Sequence, residues 1–148
     1  MSGLPEPLLG LLRRVEADQR AAGEIWAAPA GPAARAAARE GARRLGAVLP
    51  DAYAAFLAHA DGLDWDGVVF YGSGEGLLRG IKDANLAWRE VPGAARLLVL
   101  GETDMDLLTI DASGGGAALR DRIGLEAVER FADVAGLLAA PLAARLGR

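Results

Sequence analysis

The chain has 148 residues, of which 52% are hydrophobic and 24% are charged, a composition typical of one globular domain. It contains no cysteine, which excludes disulfides, thiolate catalysis and cysteine-ligated zinc. The net charge of −4 is uneven, since residues 1–50 sum to +2 and residues 51–148 to −6. This acidic balance disfavours nucleic acid as a partner and favours a basic protein.

The first part of the chain has helical periodicity. Residues 6–22 are predicted to form a helix because their apolar side chains share one stripe. The members of that stripe are Leu8, Leu9, Leu12, Val15 and Ala22. Residues 27–32 contain two prolines and a glycine and are predicted to be a linker, and further helices are predicted over residues 33–45 and 50–60.

Beyond residue 67 the pattern changes to short β-type runs. Strands are predicted over residues 68–71, 96–100, 107–111, 117–119 and 127–131. Helices are predicted over residues 81–90 and 134–146. Helices followed by a strand-rich half predict an α+β fold, with a mainly antiparallel sheet flanked by N-terminal helices and a C-terminal helix.

We expect one domain, made of an N-terminal helix in residues 1–26, the linker 27–32 and a core in residues 33–148. No basic region precedes the apolar residues of the first twelve positions, so a secretory signal is not expected. The apolar run 135–144 is shorter than the roughly 20 residues of a membrane span. These features predict a cytoplasmic protein.

Several segments resemble the SUKH superfamily, the Smi/Knr type of domain. Its pattern of a glycine, Leu-Pro, an aromatic helix and a terminal Asn-Gly is similar to residues 45–57, LGAVLPDAYAAFL, and the Asp61-Gly62 that follows. Asp61 stands where the family usually has asparagine. Residues 64–72, DWDGVVFYG, and 83–90, DANLAWRE, look like the YrhA-like branch.

The later strands of that branch are similar to residues 97–101, 107–111 and 128–131, so the resemblance covers about residues 33–143. It implies a helix-flanked antiparallel sheet and no known set of catalytic residues. It also implies a binding role, since many bacterial members look like immunity proteins that neutralise toxin domains. Fungal relatives are linked to cell-wall signalling.

Acidic residues around two expected loops predict a surface for a basic partner. Trp65 lies between two of these acids in an expected loop. Its full burial would also bury two carboxylates without partners, so we expect it to be an exposed anchor. The predicted partner-binding residues are Asp64, Trp65, Asp66, Glu102, Asp104 and Asp106. Tyr71 and Trp88 are instead expected in the core.

A metal site is not predicted at these acids, because a calcium loop that starts at Glu102 would need glycine at Leu107. No cofactor is expected either. His59 has no second histidine or cysteine as a partner, and the glycine-rich residues 72–76 lack the Lys-Ser/Thr of a phosphate loop and are expected to form a flexible turn. We therefore predict no catalytic residues.

The favoured function is a non-catalytic protein-binding module, specifically an immunity-type protein that neutralises a toxin domain through an acidic face. Nucleic acid and membranes are not expected partners. The alternative left open is a housekeeping interaction, scaffold or regulatory protein without a toxin target.

Overall fold

Within residues 3–147, five α-helices and six β-strands build an α+β fold, which confirms the expected fold class. The structure is a computed structural model that describes residues 3–147. The helices are α1 Glu6–Ala21, α2 Pro32–Arg44, α3 Asp51–Leu57, α4 Ile81–Trp88 and α5 Val134–Leu146. The strands are β1 Leu63–Trp65, β2 Val68–Phe70, β3 Leu97–Glu102, β4 Asp106–Asp111, β5 Ala118–Asp121 and β6 Ala127–Arg130.

The six strands form one sheet in which every strand pairs antiparallel with its neighbour in sequence, in the order β1–β2–β3–β4–β5–β6. In such a meander, alternate turns leave from the same end of the sheet. The β1–β2, β3–β4 and β5–β6 turns therefore lie at one end, and the two remaining connections lie at the other.

The two central strands, β3 and β4, are covered on both faces. All residues from Leu97 to Leu100 and from Leu107 to Ile110 are buried. Because successive side chains of a strand point to opposite faces, neither face of these strands reaches solvent. Helix α5 contacts β4, α1 and α3, and α4 contacts β3, so the core lies between the sheet and the helices.

Helix α1 buries a stripe that the hydrophobic pattern only partly identified. Leu8, Leu12 and Val15 are buried as expected, but the next buried position is Gln19, and Ala22 is exposed and lies beyond the helix. The Gln19 side chain donates a hydrogen bond of 2.7 Å to the carbonyl of Asp64 in β1. Because the buried amide is satisfied in this way, it is compatible with the core.

The Asn85 side chain of α4 makes hydrogen bonds to the β3 backbone of the kind that a neighbouring strand would make. Its amide oxygen accepts from the Val99 N–H and its amide nitrogen donates to the Val99 carbonyl, both at 2.8 Å. The same amide nitrogen also donates to the Ile81 carbonyl. Asn85 thus satisfies the backbone of β3 beyond the end of β2, and it fixes α4 against the sheet.

The glycine-rich segment after β2 is joined to buried Asp61 at Ser73, and residues 74–77 beyond that contact are exposed bends. One carboxylate oxygen of Asp61 accepts from the Ser73 N–H (2.6 Å) and the other from the Ser73 hydroxyl (2.8 Å). A Cβ built on Gly72 or Gly76 would lie 2.9 or 2.7 Å from these oxygens. The glycines let the backbone approach Asp61 closely.

Among residues 3–147, the structure contains no helix that has both the length and the apolar character required to span a membrane.

Candidate functional site

The acidic turns β1–β2 and β3–β4 lie side by side. A Cβ built on Gly67, at the tip of the first turn, would be 3.3 Å from a carboxylate oxygen of Asp104, at the tip of the second. We call the surface formed by Asp64, Asp66, Asp104, Asp106 and Asp121 the acidic end. Four of these aspartates are exposed and Asp106 is partly buried. Strand register therefore assembles one acidic surface from three turns that are separate in sequence.

Two of its members face each other directly across neighbouring strands. Asp106 of β4 is the register partner of Asp121 of β5. Partial burial, together with the negative charge of Asp121, raises the pKa of Asp106 above its usual range. The backbone N–H groups of Gly124 and Ile123 bond to Asp121 and lower its pKa, so this second carboxyl stays ionised. Like charges at directly opposed positions destabilise a sheet, and a cationic partner would relieve that cost.

The variant Asp106→Asn is expected to be more stable than the parent chain by about 0.2–1 kcal/mol at pH 7, because it removes this repulsion. The pKa of Asp106 is higher in the folded than in the unfolded state. Ionised Asp106 therefore destabilises the fold fully at pH values above its folded-state pKa, and the destabilisation is lost at pH values below its unfolded-state pKa. Urea unfolding at pH 7 and pH 3 measures both effects.

Asp64→Asn is the matched control, because Asp64 lies opposite the uncharged Val69. If both variants change stability equally, or if the difference persists at pH 3, the Asp106–Asp121 repulsion is not the cause.

Behind the acidic end, four side chains form a hydrogen-bonded support. The Tyr71 hydroxyl donates to Glu102 (2.5 Å) and accepts from the Trp88 ring N–H (2.7 Å). Arg122 donates to the other Glu102 oxygen (3.1 Å), and its guanidinium lies 5.2 Å from the Trp88 ring centre. Burial and the bond to Glu102 raise the pKa of Tyr71, which keeps the phenol protonated as a donor.

Glu102 is predicted from the sequence to bind a partner, but in the structure it belongs to this hydrogen-bonded support. Both of its carboxylate oxygens are already hydrogen-bonded within the chain, and its side chain is only 22% exposed. Arg122 also donates to the Thr103 carbonyl at 2.6 Å, at the base of the β3–β4 turn. Glu102 and Arg122 therefore hold that turn in place, and Asp104 and Asp106 are the carboxylates of this loop that remain for a partner.

Trp65 is not an exposed anchor, and this prediction is wrong. It lies in β1, is 5% exposed, and donates its ring N–H to the carboxylate of Asp18 in α1 at 2.8 Å. The alternation of strand side chains turns Trp65 inward and Asp64 outward, and Asp66 lies in the turn with a φ of 48°. Trp65 is therefore buried while the carboxylates of Asp64 and Asp66 stay exposed to solvent.

Two apolar residues that sequence reasoning missed belong to the same surface. Met105 is 75% exposed and Ile123 is 89% exposed, at the tips of the β3–β4 and β5–β6 turns. The turns are adjacent, since the Arg122 N–H donates to the Met105 carbonyl at 3.4 Å. An apolar residue between turn aspartates, as in Asp104-Met105-Asp106, is the signal that could have identified Met105.

Basic groups also lie near the acidic end, but they are engaged. Arg145 of α5 donates to the Asp66 carbonyl at 2.8 Å, and Arg122 is held by Glu102. Arg122 is ion-paired with Glu102 and Arg145 keeps its charge, so, within the residues that the structure describes, the five aspartates outnumber the one of these two arginines that is not ion-paired. Within residues 3–147, no three side chains of the metal-ligating types are grouped so that they could hold an ion.

A scan against models of known protein families found no match to this chain, and searches of curated proteins and of solved structures found none either.

Proposed function

We propose that this chain is a non-catalytic protein-binding module of the SUKH superfamily, in its YrhA-like branch, and that its acidic end binds a basic protein. The convergence of the β1–β2, β3–β4 and β5–β6 turns into one acidic surface is the observation that carries the proposal. As a cytoplasmic immunity-type protein, the chain would neutralise a toxin domain by covering its basic surface.

The acidic end combines the two properties that such binding requires. Clustered exposed carboxylates attract a basic surface and raise the rate of encounter, an effect that salt weakens. Met105 and Ile123 supply apolar area that a partner can bury, which slows dissociation. The opposed Asp106 and Asp121 add a repulsion that a lysine or arginine of the partner would remove on binding.

The tyrosines with altered pKa support a non-catalytic role. Tyr53 and Tyr71 have pKa values raised by burial. The Tyr53 hydroxyl shares its one proton between the carbonyls of Tyr71 and Leu100, and Tyr71 donates to Glu102, so both serve as structural hydrogen-bond donors. His59 is exposed at the end of α3, outside the acidic end. Catalytic sites usually bring groups with perturbed pKa values together in a cleft, whereas Tyr53 and Tyr71 are buried and hydrogen-bonded within the fold.

The test is capture of the partner from native cells with the tagged chain, followed by affinity measurements on the captured protein. We expect a basic protein that is recovered at low salt and lost at high salt. The double variant Asp66→Asn/Asp104→Asn should bind it at least about tenfold more weakly at low salt and with a smaller salt dependence.

The matched control is Glu75→Gln/Asp83→Asn, which removes two exposed carboxylates outside the acidic end. Equal loss of affinity in both double variants, or association that salt leaves unchanged, would contradict the proposed surface. A captured toxin-like protein supports the immunity-type role. If the captured partner is basic but not toxin-like, the proposed binding surface stands and the chain has an interaction or scaffold function in place of the immunity-type role.

A further inference from the structure

A second surface, away from the acidic aspartates, contains an open cleft of about 530 Å³. The N-terminal segment at Gly3 and Leu4, helix α2 and helix α3 form its walls. Clefts that hold small ligands are typically about 300–1,000 Å³, and they combine an apolar lining with a few polar groups. This cleft has both features.

The apolar wall of the cleft consists of small side chains. Ala54 and Ala55 of α3, Ala58 at its C-cap and Leu4, which is 6% exposed, line it. Because alanine projects only one methyl group, this side of α3 leaves room that a larger residue would fill. The cleft therefore offers space and apolar contact together.

The polar wall is basic, although the chain as a whole is acidic. Arg35, Arg39 and His59 line the cleft together with a single carboxylate, Asp51. Arg39 is paired with Asp51 at 3.1 Å. Arg35 donates to the Ala30 carbonyl at 2.6 Å and belongs to none of the ion pairs found within residues 3–147.

Arg35 is also partly buried, so its charge is incompletely hydrated, and residues 3–147 provide no carboxylate within ion-pair distance of it. Within residues 3–147, two arginines and one carboxylate, that of Asp51, line the cleft, so arginines outnumber carboxylates there. This excess of positive groups favours an anionic ligand. A guanidinium fork also fits the two oxygens of a carboxylate.

We infer that this cleft binds a small monocarboxylate with an apolar body. Arg35 holds the carboxylate, Arg39 adds positive charge beside it, and the apolar part lies on Ala54, Ala55 and Ala58. The site uses none of the residues of the acidic end, so it can be present whether or not the chain binds a basic protein.

Octanoate is the probe, used with the full chain in NMR titrations that follow the alanine methyl groups of α3 and in calorimetry. Octanoate is expected to shift the methyl resonances of Ala54, Ala55 and Ala58. Octanol, which lacks the charge, and acetate, which lacks the apolar body, should each bind at least about tenfold more weakly, since a charged hydrogen bond and buried apolar area both contribute.

Arg35→Gln is expected to weaken octanoate binding at least about tenfold, because it removes the charge that faces the carboxylate. Arg44→Gln is the matched control: it removes an exposed arginine of the same helix whose partner is Glu40, outside the cleft, and it should bind octanoate like the parent. Ala55→Leu should abolish binding by filling the apolar wall.

Octanol binding as tight as octanoate, equal affinity in Arg35→Gln and the parent, or the absence of octanoate-induced shifts at the cleft would each overturn the inference. Thermal unfolding of each variant shows whether it is folded. If Ala55→Leu is unstable, the octanoate affinities of Arg35→Gln and Arg44→Gln decide whether the cleft binds the carboxylate.

Discussion

Replacing Trp65 by alanine is expected to lower the free energy of unfolding by about 3–5 kcal/mol, the range for removal of a large buried aromatic side chain. The side chain is 5% exposed and packs within the core, so its removal leaves a cavity. The change also deletes the donor to Asp18, which links β1 to α1. Urea unfolding followed by circular dichroism measures the loss.

Two further variants separate the core role of this tryptophan from a binding role. Trp65→Phe keeps an aromatic ring but removes the hydrogen bond to Asp18, so we expect a smaller loss of about 1–2 kcal/mol. Ile123→Ala, at an exposed site of the acidic end, should change stability by less than about 0.5 kcal/mol. If Trp65→Ala keeps full stability and loses only partner binding, then Trp65 is a surface contact and its assigned place in the core is wrong.

Replacing Asn85 by alanine is expected to cost about 2–5 kcal/mol, because it leaves the Val99 N–H and carbonyl without partners in a buried place. Asn85 is 3% exposed, so water has little access to replace its amide. Since many domains have a total stability of only about 5–15 kcal/mol, this variant is expected to be close to unfolding. Denaturant unfolding gives the loss, and hydrogen exchange of the Val99 amide locates it.

Leu86→Ala provides the comparison on the same helix. Leu86 is 51% exposed, so its truncation should cost less than about 0.5 kcal/mol. Similar losses for the two variants, or an unchanged exchange rate at Val99 in Asn85→Ala, would show that the amide does not stabilise β3.

Much of the fold follows from local patterns in the sequence. Helix α5 begins and ends where its apolar pattern predicts, at Val134 and Leu146, and the five expected strands are all present within a few residues of their predicted bounds. Helix α3 ends at Leu57, three residues earlier than expected, because residues 58–59 form a turn. Strand β1 was missed, since its three residues alternate but form a run too short to indicate a strand.

The arrangement of the candidate site was harder to predict than its members. Each acidic residue can be read from the sequence, but their convergence depends on strand order and register, which composition does not encode. Glu102 and Asp104 illustrate the limit: they are two residues apart, yet one is hydrogen-bonded to Tyr71 and Arg122 and the other is exposed. The position of Gln19 in the core likewise depends on a partner 45 residues away.

The bond from Gln19 to the Asp64 carbonyl has a consequence for self-association. Strand β1 is an outer strand, and an outer strand with free backbone groups can pair with another chain and start aggregation. Helix α1 is joined to this strand by two hydrogen bonds, since Gln19 donates to the Asp64 carbonyl and Asp18 accepts from the neighbouring Trp65. Undocking of α1 would expose a ready template for intermolecular strand pairing, so the first helix protects the folded chain from forming such assemblies.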